Sequence, residues 1–135
     1  MTVLYKIRRK EGWPVIEKDS ILVTVKKLMN IDPEEQAFDT DIVLLINSEF
    51  MVLKQLGIGP ENGFSISDYN EKWSDFTNDK DLIDTLKIYV ALRVRMLFDP
   101  PASSIVADAI NSRISECEWR LNVQAETNRK EAELT

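Results

Sequence analysis

Apolar residues recur at intervals of three and four along most of the chain, which is the spacing of one face of an α-helix. Four segments show this pattern, at about residues 21–30, 39–56, 79–98 and 101–125. The chain has only four Gly and five Pro, which disfavours a turn-rich all-β domain. The sequence therefore predicts an all-α fold, a small bundle of about four helices.

The second predicted helix is apolar around most of its circumference. Its main stripe is accompanied by further apolar residues on other faces, namely Val43, Leu44, Phe50, Met51 and Val52. A helix of this kind is either central in its own domain or shared with a partner. Ser20 is the predicted cap of the first helix, Asp39 or Thr40 that of the second, and Gly57 ends the second helix.

A long connection, IGPENGFSISDYNEKWSDFTND at residues 58–79, separates the second and third helices. Its large apolar side chains are Phe64, Ile66, Tyr69, Trp73 and Phe76. Each contributes roughly 1.5–3 kcal/mol when it is buried. We therefore expect an ordered loop pinned to the helices.

The third and fourth helices meet at the sequence Phe98-Asp99-Pro100-Pro101. Helical geometry is disfavoured at Asp99 because a proline follows it. Pro100 ends the third helix, and Pro101 suits the first turn of the fourth, where an N–H is not needed. The pattern predicts a short, stiff corner between antiparallel helices, and it leaves open whether the corner also contacts a partner.

Charge divides the chain into three parts. Residues 1–18 form a basic N-terminal arm, either disordered or with a short extended piece at Val3–Ile7. Residues 19–125 form the helical domain, and residues 126–135 form a polar tail. The whole chain has a net charge of −6, and its first ten residues contain four basic groups and no acid. An acidic body argues against a protein that reads nucleic-acid sequence.

The residue types exclude the common catalytic sites. One Cys and no His rule out the usual zinc sites and Ser-His-Asp catalysis, so we predict no catalytic, cofactor-binding or metal-binding residue and no enzymatic activity. Cys117 is interpreted as a small buried apolar residue. No apolar run is long enough to span a membrane, and a soluble protein of a reducing cytoplasm is expected.

Two arginines occupy unusual positions. Arg93 falls within an apolar stripe, and Arg120 follows Trp119. Because a buried arginine needs a carboxylate partner, Glu116 or Glu118 on the neighbouring helix is the expected partner. The pair could form within one chain or across a subunit boundary.

Several short motifs occur in a distinctive order over residues 20–124. They are Ile46-Asn47-Ser48, Leu56-Gly57-Ile58-Gly59, Phe98-Asp99-Pro100-Pro101 and Glu118-Trp119-Arg120-Leu121-Asn122. Taken together, the series resembles the head–tail connector (adaptor) proteins of long-tailed bacteriophages and prophages. The arm at residues 1–18 departs from the pattern of that family.

The resemblance implies a structural role in the virion neck. Family members associate side by side into a ring, usually dodecameric, which docks under the portal protein and joins it to the next neck or tail-completion protein. DNA passes non-specifically through the lumen, and assembly takes place in the host cytoplasm. In related adaptors the C-terminal segment reaches the portal, which would give the tail after Glu126 a purpose.

The candidate fold-critical or interface positions are Asn47, Trp73, Arg93, Phe98, Asp99, Pro100, Pro101, Trp119 and Arg120. The main alternative is a helical assembly factor or protein–protein adaptor that is absent from the finished particle. A regulator that binds nucleic acid through the basic arm is a further alternative.

Overall fold

The computed structural model describes residues 19–134, and within this range it contains five α-helices and no strand. They are α1 (Ile21–Leu28), α2 (Asp39–Gln55), α3 (Trp73–Phe76), α4 (Lys80–Phe98) and α5 (Ser104–Leu134). The predicted all-α bundle is confirmed, with the short α3 inside the long loop. The predicted arm, including the extended piece at Val3–Ile7, lies outside the described residues.

The predicted helix ends are correct at the start of α1 and after α2, but not at the start of α2. Ser20 caps α1, since its Oγ accepts a hydrogen bond from the N–H of Val23 at 3.3 Å. Gly57 follows α2 with φ +80°, as expected of a glycine that ends a helix. The side-chain cap predicted for α2 is wrong, because α2 starts after Phe38 without one. The carboxylate of Asp39 instead accepts hydrogen bonds from Lys26 and Tyr69.

Helix α4 is at the centre of the packing and contacts α1, α2 and α5. The core lies between these four helices and is closed at one side by the long loop. Its most deeply buried apolar residues are Ile21, Leu22, Val23, Val25, Ile42, Ile46, Phe50, Leu53, Trp73, Leu86, Tyr89, Val90, Val94 and Leu121.

Helix α5 starts later and ends later than predicted. It begins at Ser104, so Pro101 lies in the corner and not in the first turn of the helix. It continues to Leu134 and not only to about Ala125. Two amides in its second half, Gln124 Nε2 and Asn128 Nδ2, donate to Asp79 Oδ2 at 3.3 and 3.0 Å.

Those hydrogen bonds tie the second half of α5 to the start of α4. Asp79 also accepts from the N–H groups of Asp81 and Leu82, which makes it the N-cap of α4. The hydrogen bond from Asn128 and these backbone N–H groups lower the pKa of Asp79. A single carboxylate therefore caps one helix and holds its antiparallel neighbour.

The long loop is ordered, as predicted, and its aromatic residues pack on α2. The Phe50 ring stacks on Phe76 with centroids 5.0 Å apart, and Phe64 packs edge-on against both at 5.3 and 5.4 Å. Gly59 makes this arrangement possible. Its φ is +92°, and a Cβ placed there would lie 2.3 Å from Cζ of Phe76.

The two loop glycines offer a matched test of this packing. Gly59→Ala introduces both backbone strain and a clash with Phe76, and we expect it to lower the free energy of unfolding by about 2–4 kcal/mol. Gly63 has nearly the same φ, +91°, but a Cβ added there would have Lys54 Cδ as its nearest neighbour, at 3.5 Å. Gly63→Ala should therefore cost only about 1 kcal/mol. Urea unfolding followed by circular dichroism measures both, and equal losses would contradict the proposed clash.

Candidate functional site

Asn47, one of the predicted positions, fastens the long loop to α2. Its Nδ2 donates to the carbonyl oxygen of Ile66 at 2.9 Å, and its Oδ1 accepts from the N–H of the same residue at 2.7 Å. One side chain thus satisfies both backbone groups of a loop residue whose own side chain is buried. This geometry accounts for Asn47 as a fold position.

Trp73 is fully buried and joins the loop to α1. Its indole N–H donates to Thr24 Oγ1 at 3.2 Å. The backbone N–H of Trp73 bonds to the carbonyl of Asp19, and the N–H of Ile21 bonds to the carbonyl of Glu71. The start of α1 is therefore held on both sides by the segment that leads into α3.

A buried lysine lies where α1, α2 and the loop meet. The Lys26 side chain is 0% exposed, and its Nζ donates to Asp39 Oδ1 at 2.6 Å and to Tyr69 Oη at 2.9 Å. The carbonyl oxygens of Pro33 and Glu35 complete its surroundings. An ammonium group has three hydrogens, so these four oxygens are more than enough to satisfy it.

The Tyr69 hydroxyl completes the cluster, since it donates to Oδ2 of Asp39. Burial, and next the hydrogen bond with Asp39, raise the pKa of Tyr69 well above its ordinary value. The phenol therefore stays protonated and keeps its hydrogen bond at any physiological pH. We call this cluster of Lys26, Asp39 and Tyr69 the Lys26 lock, because its hydrogen bonds join α1, α2 and the long loop.

Sequence reasoning missed Lys26. A signal was present, because Lys26 lies three residues after Val23 and four after Leu22, on the same face of α1 as these two buried residues. A lysine on the apolar face of a helix needs acceptors from elsewhere in the chain. Neither Asp39 nor Tyr69 can be identified as those acceptors from local sequence.

The expected partner of Arg93 is wrong. Its Nε lies 2.7 Å from Oε1 of Glu49 on α2, and the Glu49 side chain is 2% exposed. Arg93 faces α2, whereas Glu118 on α5 accepts a hydrogen bond from the Tyr89 hydroxyl at 3.2 Å. Burial and then Glu118 raise the pKa of Tyr89 to about 12. The Arg93 pair is intrachain, which was one of the two alternatives.

Arg120 and Trp119 lie on the surface of α5. Arg120 pairs with Glu116 one turn earlier, Nη2 to Oε1 at 2.9 Å, and Arg113 approaches the same carboxylate at 3.2 Å. The hydrogen bond from Arg120 lowers the pKa of Glu116. The Arg120–Glu116 pair therefore lies within one exposed helix and is not the pair between neighbouring helices that the sequence suggested. Exposed ion pairs of this kind contribute little to stability.

The proline corner is an exposed turn with an aromatic base. Phe98 ends α4, and its half-buried ring meets Phe38 edge-on with centroids 5.4 Å apart. The N–H of Asp99 bonds to the carbonyl of Arg95 at 2.8 Å, and Pro100 is exposed. The stiff corner between α4 and α5 is confirmed, and any contact of the corner with a partner stays a prediction.

Many large apolar side chains are exposed on the described part of the chain. They are Leu28, Phe38, Leu44, Met51, Leu97, Ile105, Val106, Trp119, Val123 and Leu134. A shallow groove lies beside Trp119 between α4 and α5, and Asp81 and Thr85 are also part of its lining. Among these residues, Leu44 and Met51 lie on α2, and Ile105, Trp119 and Val123 lie on α5.

Nothing within residues 19–134 groups three or more His, Cys, Asp or Glu residues in a way that could hold a metal ion. Cys117 is buried as predicted, and burial raises the pKa of its thiol, which disfavours a nucleophilic thiolate. No helix in the same range is both long and apolar enough to cross a membrane.

The described residues form a small helical bundle in which the buried Lys26 and Glu49 are paired within the chain, while α2 and α5 expose large apolar side chains. The family model for phage connector proteins matches residues 21–128, which is most of the chain. The chain therefore belongs to the phage connector protein family, and the resemblance seen in its motifs is confirmed. Membership supports a structural connecting role in a phage, in a family that is not typically enzymatic. No curated protein and no solved structure gives a significant match.

The buried lysine offers a direct test of the interior. We expect Lys26→Met to lower the free energy of unfolding by about 3–5 kcal/mol, because it leaves Asp39 without its buried cation. Tyr69→Phe keeps the ion pair and should cost about 1–3 kcal/mol. Lys130→Met, at an exposed position on α5, is the control and should change little. Urea denaturation gives all three values, and a neutral Lys26→Met variant would show that the lock is dispensable.

Proposed function

We propose that this protein is a ring-forming subunit of the phage neck. In this proposal the ring docks under the portal protein and joins it to the next neck or tail-completion protein. The observation that carries the proposal is the combination of the family match over residues 21–128 with exposed apolar residues on two separate helices, α2 and α5. Following the resemblance, we propose twelve copies in the virion.

A closed ring needs two different complementary surfaces on each subunit, because its contacts are heterologous. The third predicted helix, like the second, has apolar residues outside its main stripe, and both helices are therefore candidates for these surfaces. In α4, the third of the four predicted helices, the additional apolar residues Ile88, Leu92 and Met96 are half-buried and pack against the core. Helix α5, with Ile105 and Trp119 exposed, is therefore the better candidate beside α2.

Passage of DNA through the lumen is consistent with the charge of the chain. The net charge is −6, and acidic surfaces repel the DNA backbone, which reduces sticking. This passage does not require the protein to recognise any DNA sequence. In this proposal the protein acts in the virion neck after assembly in the host cytoplasm.

The last turns of α5 are the segment that we assign to the portal. Asn128 anchors the helix to Asp79, and the residues after it extend the helix to Leu134, which is 87% exposed. Leu134 is the one large apolar residue of these last turns, and in this proposal it inserts into the portal. This assignment agrees with the role of the C-terminal segment in related adaptors.

Native mass spectrometry of the purified protein, alone and mixed with the portal protein encoded beside it, tests the proposal. We expect rings, or a complex that has the symmetry of the portal. A truncated variant that ends at Arg129 tests the portal assignment. It keeps the Gln124 and Asn128 amides, which donate hydrogen bonds to Asp79. It should stay helical and lose portal binding. The full-length protein could instead be a monomer that does not bind the portal and is absent from purified virions. That result would favour the transient assembly factor.

Exposed positions on α5 test the role in the particle. Trp119→Ala and Arg120→Glu should leave a soluble protein of nearly unchanged stability, since neither side chain is part of the core. We expect these variants to fail in joining heads to tails, as seen by electron microscopy of lysates complemented with each variant. Asn111→Ala, at another exposed site on α5, is the control. A normal yield of infectious particles from the Trp119 and Arg120 variants would remove these residues from the interface.

A further inference from the structure

Helix α5 has two stripes of residues on opposite sides. The first faces the core and consists of Ile110, Ile114, Cys117, Leu121 and Ala125. At about 100° per residue, a second stripe lies roughly 160° away from the first. It consists of Ile105, Ala109, Ser112, Glu116, Trp119 and Val123, all of them exposed. Its large apolar members are 80%, 66% and 44% exposed at Ile105, Trp119 and Val123.

Helix α2 repeats this arrangement. Its buried side consists of Ile42, Ile46, Glu49, Phe50 and Leu53. Nearly opposite to it lie Leu44, Ser48, Met51 and Gln55, which are all exposed. Leu44 is 69% exposed and Met51 is 67% exposed. We call the two outward-facing sets the α2 stripe and the α5 stripe.

Both stripes follow the alternating three- and four-residue spacing that brings two packed helices into register along a seam. Every face of an α-helix has this spacing, so what sets these two faces apart is their exposed large apolar side chains: Leu44, Met51, Ile105, Trp119 and Val123. We propose that the α2 stripe of one copy packs against the α5 stripe of the next copy. This inference rests on the proposed ring and identifies the pair of surfaces that would build it.

The side chains of the two stripes complement each other. The bulky Trp119 and Met51 are knobs, and small residues such as Ser48 and Ala109 leave room for a knob from the facing helix. Arg120 follows Trp119, and the exposed Asp41 lies one turn before Leu44 on α2. A packing that brings Leu44 against Trp119 would bring Asp41 near Arg120, which already pairs with Glu116 of the α5 stripe at 2.9 Å, so the apolar residues carry the contact and charge adds little.

A second copy accounts for both stripes with one contact. If α5 paired with α5 of another copy, a closed dimer would result and the α2 stripe would stay exposed. A contact between unlike stripes uses both surfaces in every copy and can continue from copy to copy. It is the arrangement that covers the apolar residues of both stripes.

The size of the contact fits a ring better than a free dimer. From a rise of 1.5 Å per residue, the α2 stripe is about 17 Å long and the α5 stripe about 27 Å. A seam of this length and one helix wide buries less than the roughly 800 Å² per partner of a standard stable interface. Each copy in a ring makes the contact twice, so association should depend steeply on concentration.

Two complementary variants test the pairing. Met51→Arg blocks the α2 stripe and Trp119→Arg blocks the α5 stripe. Each variant alone keeps one intact stripe, and in this proposal that stripe cannot pair with itself. Each variant should therefore be monomeric at concentrations where the wild type assembles. We expect the dissociation constant of the contact to rise by about 30-fold or more. Because a single seam is smaller than a standard stable interface, an equal mixture should form 1:1 heterodimers at high protein concentration, and nothing larger. Native mass spectrometry with one variant isotopically labelled identifies the composition.

The controls separate this inference from the ring itself. Asn111→Arg adds the same charge to an exposed position of α5 outside the stripe and should assemble as the wild type does. Circular dichroism checks that all variants are folded. Homodimers of Met51→Arg would mean that α5 pairs with itself, and would overturn the inference. If both blocked variants reached wild-type size, the ring would stand and the pairing would be wrong. Wild-type protein that binds the portal without any contact between copies would also overturn the pairing, while portal docking would stand.

Discussion

The arrangement of this bundle depends on the burial of one ammonium group. An ammonium that leaves water costs several kcal/mol unless oxygen atoms replace its hydration shell. Around Lys26 these oxygens come from the linker after α1, from Asp39 at the start of α2 and from Tyr69 in the long loop. Each segment must be in place for the others to be stable there. The lock therefore couples the loop to the helices and supports the aromatic packing of Phe76 on Phe50.

The distribution of polar and apolar groups separates stability from function. Lys26 and Glu49 are charged and buried, yet each has its partner within the chain. Leu44, Met51 and Trp119 are apolar and exposed, and they contribute little to the fold of the single subunit. Lys26 and Glu49 are paired within the chain, so neither buried charge needs a partner protein. The outward faces of α2 and α5 expose apolar side chains and are the surfaces best suited to bind another protein. A structural protein needs both features: an interior that is stable by itself and an outer surface that can bind its neighbours.

Local pattern predicts the helices, the Ser20 cap and the ordered loop, because spacing and capping depend on residues close in the chain. It does not predict partners across the fold. Helical periodicity places Arg93 within a stripe but cannot say that this part of α4 faces Glu49 and not α5. The end of α5 was predicted too early for the same reason: its polar last turns are held by Asp79, which lies far away in the sequence. Of the additional apolar residues noted on the second helix, Leu44 and Met51 are exposed, whereas Phe50 is buried in the core.

The two-sided construction of α5 has a consequence for assembly. On its inner side, Glu118 bonds to Tyr89, and Gln124 and Asn128 bond to Asp79. These contacts hold the helix over most of its length, so its outer stripe is presented in a fixed orientation before any partner arrives. A preorganised surface loses little conformational entropy on binding, which lowers the area that each contact needs. In the proposed ring, where every subunit would make two such contacts, short seams between preorganised helices would then be sufficient.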